Sequence, residues 1–146
     1  MPRPTNPTDG QVWVTSLGNV IQFSAARNAW ININSTVFTF PRVTSITSSS
    51  TPTPNATTTD LFEISALATG ATFGAPTGAA NDGQKMIIRI YDNGSSQALN
   101  WNSTYKPLTT VTLPTATTTS LYNYIGIIYN AAANKWGVLS TGIGAA

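Results

Sequence analysis

The acid–base side chains of this chain are five carboxylates, Asp9, Asp60, Glu63, Asp82 and Asp92. Two of them facing each other would suit glycoside hydrolysis, one as acid and the other as base or nucleophile. Local context argues for a different use. Asp9 and Asp82 precede glycine and Asp92 opens Asp92-Asn93-Gly94, settings in which a carboxylate oxygen caps backbone N–H groups of a turn. Histidine and cysteine are absent, which excludes Ser-His and Cys-His nucleophile pairs and a zinc site built from those ligands. Gly74-Ala75-Pro76-Thr77-Gly78 and Gly142-Ile143-Gly144 lack the Lys-Ser/Thr and the strand-to-helix setting of a phosphate loop. Asn81-Asp82-Gly83 and Asp92-Asn93-Gly94 offer only a few oxygens each, short of the roughly six to eight that calcium takes. The sequons, such as Asn55-Ala56-Thr57 and Asn102-Ser103-Thr104, arise by chance in so Ser/Thr-rich a chain. No catalytic residue, metal or cofactor is expected, and the chain reads as a non-enzyme.

Binding chemistry is better represented. Trp101 in Asn100-Trp101-Asn102, the nearby Tyr105, and Tyr122 and Tyr124 in Tyr122-Asn123-Tyr124 place ring faces beside amides and hydroxyls, a combination that suits a glycan or a partner protein. Alternation along a half-buried strand turns some of these rings inward, so core or subunit packing competes with sugar binding for them.

These residues need a scaffold, and composition says what kind. Charged residues are 8% of the 146 and hydrophobic residues 41%, against about 25% charged in ordinary soluble proteins. The polar surface must therefore come from Thr, Ser and Asn, which repel other copies little and suit close packing. A net charge of +2, scattered along the chain, is no nucleic-acid footprint. No apolar run approaches the roughly 18 residues of a membrane helix, and Met1 to Pro7 has no apolar core of a signal peptide. Without cysteine the fold must stand on packing. Both termini are expected to be held, by neighbouring subunits.

Strand signals dominate. Gln11 to Val14, Val20 to Phe23 and Trp30 to Ile33 are short β-branched or aromatic runs that predict a three-stranded meander, with Leu17-Gly18-Asn19 as one turn. Val37 to Phe40 and Arg42 to Thr47 follow. Ser48 to Thr59, broken by Pro52 and Pro54, predicts an extended surface connection. Strands resume at Leu61 to Ile64 and Ala71 to Phe73. Lys85 to Tyr91, the turn Asp92-Asn93-Gly94 and Ala98 to Trp101 predict a hairpin. Leu121 to Tyr129 and Lys135 to Leu139, flanking Asn130 to Asn134, predict another. The expected fold is all-β: a small N-terminal β meander, residues 1–40, which would anchor, and a β-sandwich domain, jelly-roll-like in one form, at 41–146.

An internal echo links the two. Phe23-Ser24-Ala25-Ala26-Arg27-Asn28-Ala29-Trp30 matches Tyr129-Asn130-Ala131-Ala132-Ala133-Asn134-Lys135-Trp136 in its aromatic, Ala-Ala, Asn and Trp. Asp9-Gly10-Gln11 and Asp82-Gly83-Gln84 precede an apolar strand in each case. The pattern predicts a hairpin whose loop uses Asn in the left-handed conformation and whose return strand starts at Trp.

The stretch from Ile46 to Leu139, with its Thr/Ser/Pro tract, Asp82-Gly83-Gln84, Met86 to Ile90, Asp92-Asn93-Gly94, Leu99-Asn100-Trp101 and Tyr129 to Trp136, resembles segments of tailed-bacteriophage virion proteins. Pro7 to Trp13 and Ala26 to Trp30 likewise resemble a small module of phage tail and head appendages. The resemblance implies a virion location and homo-oligomerisation, often trimeric, and supplies no functional residues. With no long coiled-coil or collagen-like shaft, a capsid decoration or cement protein or a short head fibre is expected, contacting copies of itself and major capsid or other virion proteins. The alternative is a tail-associated module that recognises host surface glycans through Trp101, Tyr105, Tyr122 or Tyr124.

Overall fold

A computed structural model describes residues 5–14, 20–32 and 41–145. Among the described residues, eleven strands run in chain order: β1 Val12–Val14, β2 Val20–Ser24, β3 Ala29–Asn32, β4 Val43–Ile46, β5 Leu61–Leu67, β6 Ala71–Phe73, β7 Lys85–Asp92, β8 Leu99–Trp101, β9 Tyr105–Pro107, β10 Tyr122–Asn130 and β11 Lys135–Gly144. The only helical element among the described residues is a 3-10 turn, Ala25–Arg27. The chain divides into two compact units, Met1–Phe40 and Pro41–Ala146. The strand expected at Val37 to Phe40, the Leu17-Gly18-Asn19 turn and the held ends at Met1 and Ala146 lie outside the described residues.

The first unit is the antiparallel meander β1-β2-β3. Its register pairs Trp13 with Ile21 and Phe23 with Trp30, and the Phe23 and Trp30 rings meet edge to face at 5.6 Å. Phe23 is buried, whereas Val12, Val14 and Ile31 are exposed.

The second unit is a two-layer all-β domain. Its large sheet has the order β4-β5-β7-β10-β11-β9, and the small one pairs β6 with β8. β4, β5 and β7 are mutually parallel, β7, β10 and β11 antiparallel, and β9 is parallel to β11. Strict alternation builds the core. On β7, Met86, Ile88 and Ile90 point inward, and Lys85, Ile87 and Arg89 outward. With Phe62, Ile64, Leu67, Ile125, Ile127 and Val138 they pack beneath Phe73 and Leu99 of the small sheet. The parallel pairs set this sandwich apart from an antiparallel jelly roll.

Two expectations are corrected here. Lys85 to Tyr91 and Ala98 to Trp101 do not form a hairpin: β7 lies between β5 and β10 in the large sheet, and β8 pairs with β6 in the small one. The Asp92-Asn93-Gly94 turn does form, Gly94 N–H donating to Asp92 Oδ1 at 3.0 Å, but it sends the chain across to the other layer. Ser48 to Thr59 is extended, but more than a surface connection. Pro52, Pro54, Ala56 and Thr59 are buried, and the backbone runs beside β6 and the loop after it, through Thr72 N to Ser50 O (2.8 Å), Gly74 N to Pro52 O (3.0 Å) and Thr77 N to Pro54 O (2.9 Å). The prolines take part only as acceptors, so their missing N–H groups cost nothing. On the other side of the small sheet the second Thr tract flanks β8, with Leu99 N to Thr115 O at 2.8 Å and Thr117 N to Gln97 O at 2.9 Å.

Candidate functional site

The structure separates the aromatic candidates. Trp101 and Tyr105 belong to the interlayer packing. Trp101 stacks on Phe73 at 4.3 Å and 13°, meets Tyr105 edge-on at 5.4 Å, and donates its Nε1–H to Pro114 O at 2.8 Å. Tyr105 is 3% exposed and its hydroxyl donates to Gly74 O at 3.0 Å; burial pushes the phenol pKa above its ordinary value. Tyr105 has no open face, and the partly buried Trp101 has one face covered by Phe73, so both rings, expected as glycan contacts, serve the packing between the layers. The small sheet is only two short strands wide, and a stacked indole–phenyl pair fastens it to the large one.

Tyr122 and Tyr124 lie on the outer face of the large sheet, half-buried. Tyr122 is 5.0 Å from Tyr91 and 6.0 Å from Tyr124, ring centre to ring centre. Tyr91 was missed in the sequence, because its neighbourhood depends on β7 pairing with β10 rather than with Ala98 to Trp101. Register places Glu63, Arg89 and Tyr124 in one row across β5, β7 and β10. Arg89 Nη2 bonds Glu63 Oε1 at 2.7 Å, and the guanidinium lies 5.5 Å over the Tyr122 ring. The neighbouring row is Val43, Leu61 and Ile87, with Val43 56% and Ile87 46% exposed. Outward positions on β10 and β11 include Gly126, Gly137, Gly142 and Gly144, and a Cβ added at Gly144 would stand 3.2 Å from the Tyr124 ring. The result is a low-relief face of apolar side chains, tyrosines and one neutralised ion pair.

All five carboxylates have structural partners. Asp60 bonds the Arg42 backbone N–H (2.9 Å) and its guanidinium, which together hold its pKa at about 2. Glu63 pairs with Arg89. Asp92, fully buried, accepts from Thr117 Oγ1 (2.9 Å), Ser120 N (3.1 Å) and Gly94 N (3.0 Å). Burial alone would raise its pKa; those three bonds outweigh it, and the pKa is lowered.

Asp9 and Asp82 act as clamps, and here the sequence echo becomes an atomic one. Asp9 Oδ1 accepts from Ala25 N at 2.8 Å and Asp82 Oδ1 from Ala131 N at 2.9 Å. Gly10 N donates to Phe23 O and Gly83 N to Tyr129 O, both at 2.9 Å. Gln11 and Gln84 each accept a return bond on Oε1 from the residue three earlier, Thr8 N at 3.2 Å and Asn81 N at 3.1 Å. Asn28 and Asn134 take φ of 46° and 49°. In register, β1-β2-β3 of the first unit repeats β7-β10-β11 of the second, Trp13 facing Ile21 as Met86 faces Ile127, and Phe23 facing Trp30 as Tyr129 faces Trp136.

No protein-family model matches the chain, and no curated protein matches it. Among solved structures, one described as "Structure of a chaperone-substrate complex" aligns over 85% of this chain and 20% of that chain, with 18% identity and a TM-score of 0.42. The chain thus spans about a fifth of the length of that neighbour.

Proposed function

We propose that this protein is a structural component of a bacteriophage particle, a capsid decoration or cement protein or short head fibre, and that it works through surface contacts rather than catalysis. The observation that carries the contact role is the outer face of the large sheet. Its Val43, Leu61, Ile87 row and its tyrosines offer area that gains free energy when removed from water, at about 25 cal/mol per Å². Its central charges, Glu63 and Arg89, already neutralise each other, which lowers the cost of covering them. The virion setting rests on the sequence resemblance. The engagement of every carboxylate in folding contacts supports the non-enzymatic reading. Copies would meet through this face, as a homotrimer by the resemblance, and bind major capsid proteins by many weak contacts that add through multivalency. The N-terminal meander would serve as the anchor.

Imaging of the purified particle tests this. A regular lattice of this chain on the capsid is the expected result, and its absence from the particle would refute it. Density at the tail tip would instead favour the second reading, recognition of host glycans, for which the half-exposed Tyr91, Tyr122 and Tyr124 beside Arg89 and Glu63 are the supporting observation.

A further inference from the structure

The hairpin clamp is present in both units, but the second unit adds to it. The loop after β6 and the end of the β10–β11 hairpin border an open cavity of about 210 Å³, lined in part by Pro76, Gly78, Thr104, Tyr129, Asn134 and Trp136. None of the residues lining it is charged. The geometry points to a binding site for one neutral sugar ring, such as the terminal residue of a glycan.

Size is the first argument. Pockets for drug-sized ligands run to roughly 300–1,000 Å³, and a cavity of about 210 Å³ suits a single ring. Chemistry is the second. Tyr129, partly exposed, supplies aromatic surface for the apolar face of a sugar, and the buried Trp136 backs it at 5.2 Å and a tilt of 48°. The Tyr129 hydroxyl donates to Asn134 Oδ1 at 2.9 Å, which fixes the amide and leaves its nitrogen as the group able to donate to a ligand. Thr104 Oγ1 is buried without a hydrogen-bond partner, a condition that costs free energy until something pairs with it. A ligand hydroxyl would do so.

The wall of the cavity is also preformed. Ala79 N donates to Thr57 Oγ1 at 3.0 Å, Thr77 N to Pro54 O at 2.9 Å and Ala56 N to Thr77 O at 2.8 Å. Gly78 adopts φ +77°, and a Cβ there would collide with Thr57 and Asn55. A pinned wall binds without an ordering cost. Finally, the first unit shows which features the hairpin itself requires. It closes the same clamp with Phe23 where the second unit has Tyr129, so the hydroxyl of Tyr129 is not needed for the fold. The site lies at the opposite end of β10 from Tyr122 and Tyr124, and it stands or falls separately from packing on the sheet face.

The test is titration of the isotope-labelled full chain with the methyl glycosides of glucose, galactose, mannose and N-acetylglucosamine, followed by amide NMR. Tyr129→Phe keeps the ring that the first unit uses, and Asn134→Gly keeps the left-handed backbone while removing the amide. The expected result is a saturable shift for at least one glycoside, centred on Gly78, Thr104 and Asn134. Each variant should weaken it about three- to tenfold while its melting temperature stays close to that of the parent. No saturable shift with any of the four, binding unchanged in both variants, or shifts confined to Tyr91, Tyr122 and Tyr124 would each overturn the site.

Discussion

At the scale of single residues, the clearest case is Asp92. The sequence placed it in a turn, and Gly94 N–H is indeed bound to it. It could not show the partners from the second Thr tract, Thr117 and Ser120, which lie 25 and 28 residues away. A local motif announces its local bond and nothing more. Because the folded pKa of Asp92 is depressed, its charged form stabilises the fold above the ordinary carboxylate value, and that contribution disappears as pH falls through the folded value. Asp92→Asn keeps the shape but removes the charge and one acceptor. It should lose about 1–3 kcal/mol in urea unfolding at neutral pH, and the gap to the parent should narrow below about pH 4. Asp60, with its pKa at about 2, follows the same sign but is solvent-screened and should contribute little. Trp101 gives the converse lesson. Its sequence neighbours, Asn100 and Asn102, suggested an exposed ring, but the stacking partner Phe73 is 28 positions earlier and was invisible locally.

At the scale of elements, the meander and the β10–β11 hairpin were legible because their partners are adjacent in sequence and their turns have distinctive residues. The failed β7–β8 hairpin had an equally good turn, but a turn specifies a reversal and not the strand that receives it. Parallel pairing of β7 with β5 joins strands separated by a long connection, which no local signal records. The Pro-containing tract misled for a physical reason: proline was taken as a mark of loop, but it is compatible with an edge position where only its carbonyl is used. The clamp supplies the element-scale predictions. Asp82→Ala should remove the acceptor of Ala131 N and raise amide exchange in the Asn130 to Asn134 loop, while Asp9→Ala does the same around Ala25, each without effect on the other loop. Asn134→Ala should destabilise by about 1–2 kcal/mol, because an alanine pays for the left-handed conformation, while Asn134→Gly should be near neutral. Equilibrium unfolding of the pair reads this directly.

At the scale of the whole molecule, low charge, anticipated to suit packing of copies, takes on a location. The outward faces of β4, β5, β7 and β10 bring Val43, Leu61, Ile87 and the tyrosines together, and the register that does so follows from the strand order rather than from any stretch of sequence. Part of the candidate site was therefore readable, Tyr122 and Tyr124, and the rest, Tyr91, Arg89 and Glu63, depended on topology. Ile87 is the most useful probe, since it is 46% exposed and its replacement leaves the core between the layers untouched. The most direct test of the account is sedimentation velocity of the full chain and of Ile87→Glu at matched concentrations. The parent should sediment as an oligomer, a trimer by the resemblance, and Ile87→Glu as a folded monomer. A parent that stays monomeric, or an Ile87→Glu variant that assembles as well as the parent, would contradict it.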